Sequence, residues 1–84
     1  MPKAKLRPTI ASQVARLLRE ERERQSISRK GLSERAGLSR QMITFVEQED
    51  RNPSLDTLLR MTEALGVSLS SVLEQAERSA RGKK

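Results

Sequence analysis

Between Ser28 and Leu55 the chain reads SRKGLSERAGLSRQMITFVEQEDRNPSL, and this stretch constrains the fold more than any other. Two short helical patterns lie on either side of Gly37-Leu38, and each is opened by a serine, Ser28 and Ser39. A serine hydroxyl there accepts from the free amides of the first turn and so starts a helix. Gly37 suits the left-handed residue that ends the first of the two. In the second, Ile43 and Val46 fall on one face, whereas Arg40, Gln41 and Thr44 fall on another. One side of this helix belongs to a core and the other, polar side stays open.

The rest of the chain keeps a helical period. Ile10, Val14, Leu17 and Leu18 recur at i, i+4, i+7 and i+8, the stripe of an amphipathic first helix running to about Arg24. Leu32 and Ala36 are the buried positions expected of the second helix. Asn52-Pro53 breaks the chain, after which Leu55, Leu58, Leu59, Met61 and Leu65 support a fourth helix closed by Gly66. Ser68 caps a fifth, with Leu69, Val72, Leu73 and Ala76 as its apolar stripe. No segment alternates strictly between apolar and polar residues, so no strand is expected. The expected fold is all-α, a compact five-helix domain over residues 9–77. A flexible basic arm over 1–8 precedes it and a basic tail over 78–84 follows. Gly-Leu-Ser recurs at Gly31 and Gly37, too short and too closely spaced for a repeat architecture.

With 84 residues there is room for one domain. A domain of this size buries only about 60% of its unfolded surface, so its stability is marginal and a partner subunit helps. Leu69, Val72 and Ala76 exceed what one small core accommodates, and they are expected to form the interface of a homodimer. Cysteine and histidine are both absent, which removes disulfides, thiolate metal sites, the commonest general base and the commonest zinc ligand. No enzyme, metal or cofactor is therefore expected. No apolar run approaches the roughly 18 residues of a membrane-spanning helix. The polar face of the first helix mixes Glu20, Glu21 and Glu23 with its arginines, which argues against a membrane partner, and the absence of cysteine fits a cytoplasmic protein.

Charge narrows the partner further. The net charge is +6, but the two ends hold seven of the 17 basic residues and none of the 11 acids. These are Lys3, Lys5 and Arg7 at one end and Arg78, Arg81, Lys83 and Lys84 at the other, either solvated or functional. The body between them is nearly neutral, so any surface for a polyanion must concentrate its cations locally. Residues 35–46 do so, with Arg35, Arg40 and no acid. Phe45 is the only aromatic residue, so the stacking platforms for single-stranded nucleic acid and the base stacking of RNA recognition are missing.

Two short helices joined by a tight turn, with the second half buried and half polar, form the grammar of a helix-turn-helix. In that docking geometry the N-terminus of the second helix of the motif points into the major groove of duplex DNA. Arg40 can then pair with guanine O6 and N7, and Gln41 with adenine N6 and N7. Thr44, one turn on, reaches a thymine methyl or a base acceptor. Phe45 lies on the side of Gln41 and packs either on thymine methyls or on the first or fourth helix. Ser39 can donate to a phosphate, although capping alone accounts for it.

The spacing also resembles the phage-repressor and Cro-like (XRE) family of helix-turn-helix transcriptional regulators. The residues that carry the resemblance are Ser28, Leu32, Gly37, Ser39-Arg40, Ile43, Glu47, Asn52-Pro53-Ser54-Leu55 and Ala64-Leu65-Gly66-Val67-Ser68. It implies the same base-reading positions and places Arg51 and Asn52 near the DNA backbone. The family usually has a phosphate-clamping glutamine at the first residue of the second helix. Here that residue is Arg29, a charged phosphate ligand. Arg22 and Glu47 match positions that often hold a buried ion pair, the alternative being two more surface charges. Gly31 departs from the family's helix former, and Glu49 stands where glycine in a left-handed conformation is usual.

The resemblance implies a sequence-specific regulator of transcription that binds double-stranded DNA. It would act as a homodimer on a two-fold symmetric operator, with residues 39–48 in the major groove. Regulation then comes from occupancy itself or from contact with RNA polymerase. The alternative is an antitoxin or adaptor that chiefly binds a partner protein such as a toxin, with autoregulatory DNA binding. A long tail able to wrap a toxin would mark that class, and few residues follow Ala76.

Overall fold

Every helix of the protein opens on a hydroxyl. The computed structural model describes residues 9–50 and 52–82. It holds α1 (Ile10–Arg24), α2 (Arg29–Ala36), α3 (Arg40–Glu47), α4 (Leu55–Leu65) and α5 (Leu69–Gly82), with no strand among the described residues. Ser28 Oγ accepts from the Gly31 amide at 2.9 Å, Ser39 Oγ from Met42 at 3.0 Å and Ser68 Oγ from Ser71 at 3.1 Å, as their positions predict. Thr9 and Ser54 do the same for α1 and α4 at 3.0 and 3.1 Å. Both lie beside a proline, and the sequence analysis did not assign them as caps.

The ends divide into two kinds. α2 and α4 stop at Gly37 and Gly66, both left-handed, at φ 70° and 75°. α1 and α3 stop without glycine, and the reversal falls on Ser26 at φ 58° and Glu49 at φ 62°. The left-handed conformation expected at Glu49 is present, and Ser12 of α1 donates its hydroxyl to Glu49 Oε1 at 2.7 Å. That bond ties the turn after α3 to the start of α1.

The core is built from Val14, Leu18, Ile27, Leu32, Ile43, Val46, Met61, Leu65, Val72 and Ala76. α1 packs along α5, and α2 is wedged against α3 and α4. Leu18, Leu32, Ile43 and Met61 have no exposed surface, and each such burial contributes about 1.5–3 kcal/mol. The inward sides expected for α2 (Leu32, Ala36) and α3 (Ile43, Val46) are the buried ones.

Two expectations are corrected. Val72 and Ala76 face this chain's own core, 8% and 0% exposed, because α5 lies along α1 and spends that stripe there. Little of their surface is left for a second copy, and Leu69 is half-buried. Among the described residues, the large apolar side chains left exposed are Ile10, Leu55, Leu59 and Leu73. Nor is the stretch expected as a basic tail over 78–84 separate from the helices: α5 runs on to Gly82, with Arg78 reaching back to Glu74 at 3.3 Å in an i,i+4 pair. Such pairs support helix where composition alone reads as a basic tail. No helix among the described residues is long and apolar enough to cross a membrane. The N-terminal arm over 1–8, Arg51, Lys83 and Lys84 lie outside the described residues.

Candidate nucleic-acid interface

The interface begins at the cap of α3. Ser39, Arg40 and Gln41 are exposed, and they share the first turn of a helix whose opposite side holds Ile43 and Val46 in the core. Burial of those two fixes the rotation of α3, so the polar residues face outward without choice. No acid lies in the first turn of α3, which leaves the positive end of its dipole uncompensated and open to an anion. Ser39 Oγ is already occupied as the cap of α3. Thr44 is half-buried and donates its hydroxyl to the Arg40 carbonyl at 3.2 Å, which leaves its methyl and a lone pair for other contacts. Phe45 is half-buried and makes contacts within the protein, so it is not a freely projecting side chain.

Behind this surface the structure assembles a buried charge cluster. Glu47, the last residue of α3, has no exposed side-chain surface. Arg22 of α1 donates Nε to Glu47 Oε2 at 2.7 Å and Nη2 to Oε1 at 3.0 Å, a two-pronged pair. The third nitrogen of Arg22, Nη1, donates to the Ile27 carbonyl at 2.9 Å. Its guanidinium thus ties α1, the α1–α2 turn and the end of α3 together. The bond to Glu47 holds the Arg22 guanidinium above its ordinary value, against the opposing effect of burial. Arginine is charged throughout the working range anyway, so Arg22 serves here as a fixed strut.

Arg29, expected on a phosphate, is the second cation of that cluster. Its Nε donates to Glu47 Oε1 at 3.0 Å, and its side chain is about a third exposed. This pairing escaped the sequence analysis because 18 residues separate the partners. One signal pointed to it: Arg29 and Lys30 open α2 with no acid in the first turn, opposed to the helix dipole. A cation at that end calls for a carboxylate from elsewhere.

Asn52 is exposed in the turn between α3 and α4. Around the expected interface, Arg35 and Lys30 are also exposed, and the acids Glu49 and Asp50 follow α3. Among the described residues no cluster of His, Cys, Asp or Glu has the grouping of a metal site.

A family model described as Helix-turn-helix matches residues 18–72. An uncharacterized HTH-type transcriptional regulator, y4dJ of Sinorhizobium fredii, is 35% identical over 63 residues, covering 75% of this chain and 77% of the relative. The fold is also that of a point mutant of the restriction-modification controller protein C.Esp1396I. That match has a TM-score of 0.80 at 20% identity, over 89% of this chain and 97% of the other. The clp gene regulator ClgR from C. glutamicum matches with a TM-score of 0.80 at 23% identity, over 92% and 99% of the two chains. At such identities the two structures speak to fold alone.

Proposed function

This chain belongs to the helix-turn-helix family of DNA-binding transcriptional regulators, and from that premise we propose that it acts as a homodimer reading a two-fold symmetric site on duplex DNA. α3 enters the major groove. Arg40 and Gln41 read base edges, with Thr44 and Phe45 contributing beside them, while Arg29, Ser39, Arg51 and Asn52 hold the backbone. The observation that carries this reading is the two-sidedness of α3: Ile43 and Val46 are buried, and Ser39, Arg40 and Gln41 are exposed at an acid-free helix N-terminus. The proposed DNA-binding unit is the five-helix body from residue 9 to Gly82, with the arm over 1–8 as an auxiliary backbone contact.

The homodimer part of the reading rests on different residues from those first expected. Ile10, Leu55, Leu59 and Leu73 are large apolar side chains left 43%, 64%, 39% and 38% exposed. Ile10 and Leu73 line one groove of about 610 Å³ with Val14, Pro53 and Leu58. A second copy of the chain is the occupant proposed for this face, since two-fold pairing buries it on both partners at once.

Selection of bound sequences from a random duplex pool tests the function. We expect one preferred site with two-fold symmetry. On that site Arg40→Ala and Gln41→Ala should each lose about 1–3 kcal/mol of discrimination at one base pair per half-site. Equal losses on the selected and a scrambled duplex would remove the base-reading role of the residue concerned.

A further inference from the structure

Glu47 receives two arginines, and the two are not used alike. Arg22 spends all three guanidinium nitrogens, two on Glu47 and one on the Ile27 carbonyl. Arg29 spends only Nε, and among the described residues its two Nη groups have no partner. The side chain is about a third exposed, at the first position of α2, where the helix dipole already repels a cation. Glu23 also approaches Arg22, at 3.9 Å and from the exposed side, with no contact to Arg29. The carboxylate is therefore satisfied by Arg22, and the bond to Arg29 is additional.

We propose that Glu47 is a positioning residue for DNA binding: it clamps Arg29 by Nε so that the two Nη groups are presented, already oriented, to a backbone phosphate. This deepens the DNA reading above and rests on it. A guanidinium serves two anions at once because its five N–H donors are fixed in one plane. Nε goes to Glu47, and the two Nη groups go to the phosphate. The clamp also removes rotamer freedom from a long side chain before binding, so less is lost when the phosphate is engaged. A lysine in the same place has a single ammonium, which the buried carboxylate would keep. Charge alone is thus insufficient at this position, and that is the point at which the proposal can fail.

The test measures affinity for a mixed-sequence DNA duplex across a range of potassium chloride, using the full chain. Arg29→Gln should flatten the slope of log affinity against log salt by about 0.9 per subunit. It should weaken binding about tenfold at moderate salt, the scale of one charge-assisted hydrogen bond. Arg29→Lys should behave like Arg29→Gln in both respects despite keeping the charge. In the Arg29→Gln background, Glu47→Gln should cost no further affinity per folded molecule, whereas in the wild type it should cost as much as Arg29→Gln. Both Arg29 variants leave the Arg22–Glu47 pair intact and are expected to fold, so they decide the matter even where Glu47→Gln does not. Wild-type slope and affinity in Arg29→Lys would show that a point charge suffices and overturn the proposal, as would an unchanged slope in Arg29→Gln. A wild-type protein that ignores the duplex at every salt concentration would remove the DNA reading itself, and this inference with it.

Discussion

A carboxylate with no exposed surface must be met by cations, and Glu47 is met by two of very different standing. Arg22 is buried with it and cannot turn to water; Arg29 is partly exposed and can. Removing the Glu47 charge therefore strands Arg22, and a stranded buried charge costs about 3–5 kcal/mol. Glu49 and Glu23 make the comparison sharp, since each is an exposed carboxylate near the same elements. Glu49→Gln keeps an amide oxygen that can accept the Ser12 hydroxyl, and Glu23 stands 3.9 Å from Arg22 at an exposed position. We expect Glu47→Gln to lower the denaturant midpoint strongly, while Glu49→Gln and Glu23→Gln change stability by no more than about 0.5 kcal/mol. Three indistinguishable midpoints would mean that the buried pair contributes nothing to folding. Arg22 with Glu47 was within reach of sequence reasoning only through family resemblance. The second link, Arg29 to Glu47, was not, because nothing local in a sequence tells which carboxylate will lie beside a cation 18 residues away.

Elements were legible where their signals are local. A hydroxyl before an apolar period, or a glycine after one, acts through bonds within one turn, and α2, α3 and α4 stand where those signals put them. The end of α5 was not legible, because a run of arginine and lysine without acids has the composition of a tail, whereas pairs such as Glu74–Arg78 are made only once the helix exists. The partner of the α5 stripe was also hidden: periodicity identifies an apolar face without saying that α1 will cover it. One substitution made in two places separates local from packed effects on α2. Gly37 sits at φ 70°, so Gly37→Ala forces a side chain into the left-handed region and should cost about 1–2 kcal/mol. Gly31 is helical, where alanine is worth about 1 kcal/mol more than glycine. Its added Cβ, however, would lie 3.2 Å from Ser28 Oγ and 3.3 Å from Ile27 Cγ2. The first of those atoms caps α2, and the second belongs to a core residue. Gly31→Ala should therefore gain little or nothing on its own, and more in a Ser28→Ala background that has already given up the cap. Thermal or denaturant unfolding of the wild type, the three single variants and the Ser28→Ala, Gly31→Ala double variant decides it; a full gain of about 1 kcal/mol in Gly31→Ala alone would show that the contacts relax freely.

At the scale of the whole molecule, what α1 and α5 leave uncovered matters more than what they bury. A core this small leaves the chain marginal, yet among the described residues four large apolar side chains remain on the surface. Leu55 and Leu59 are one turn apart on α4, and Leu73 projects from α5 beside Ile10. A dimer paired over these residues has to set its two α3 helices about 34 Å apart, one turn of DNA, to read both half-sites of one duplex. The corrected roles on α5 give opposite expectations for adjacent residues. Leu73→Glu, together with Leu59→Glu, should place charge at two of these exposed apolar positions and convert a dimer to a folded monomer. The stability of the isolated domain should scarcely change, because both positions are more than a third exposed. Val72→Ala should instead leave the assembly state alone and lower stability by about 1–3 kcal/mol, the cost of a cavity in the core. Sedimentation at tens of micromolar, with unfolding measured on the same samples, checks both. A wild-type chain that stays monomeric with and without its selected duplex would end the dimer reading. A dimer that survives Leu59→Glu and Leu73→Glu would move the interface to another face. Loss of the dimer in Val72→Ala at unchanged stability would return it to the stripe that α1 covers.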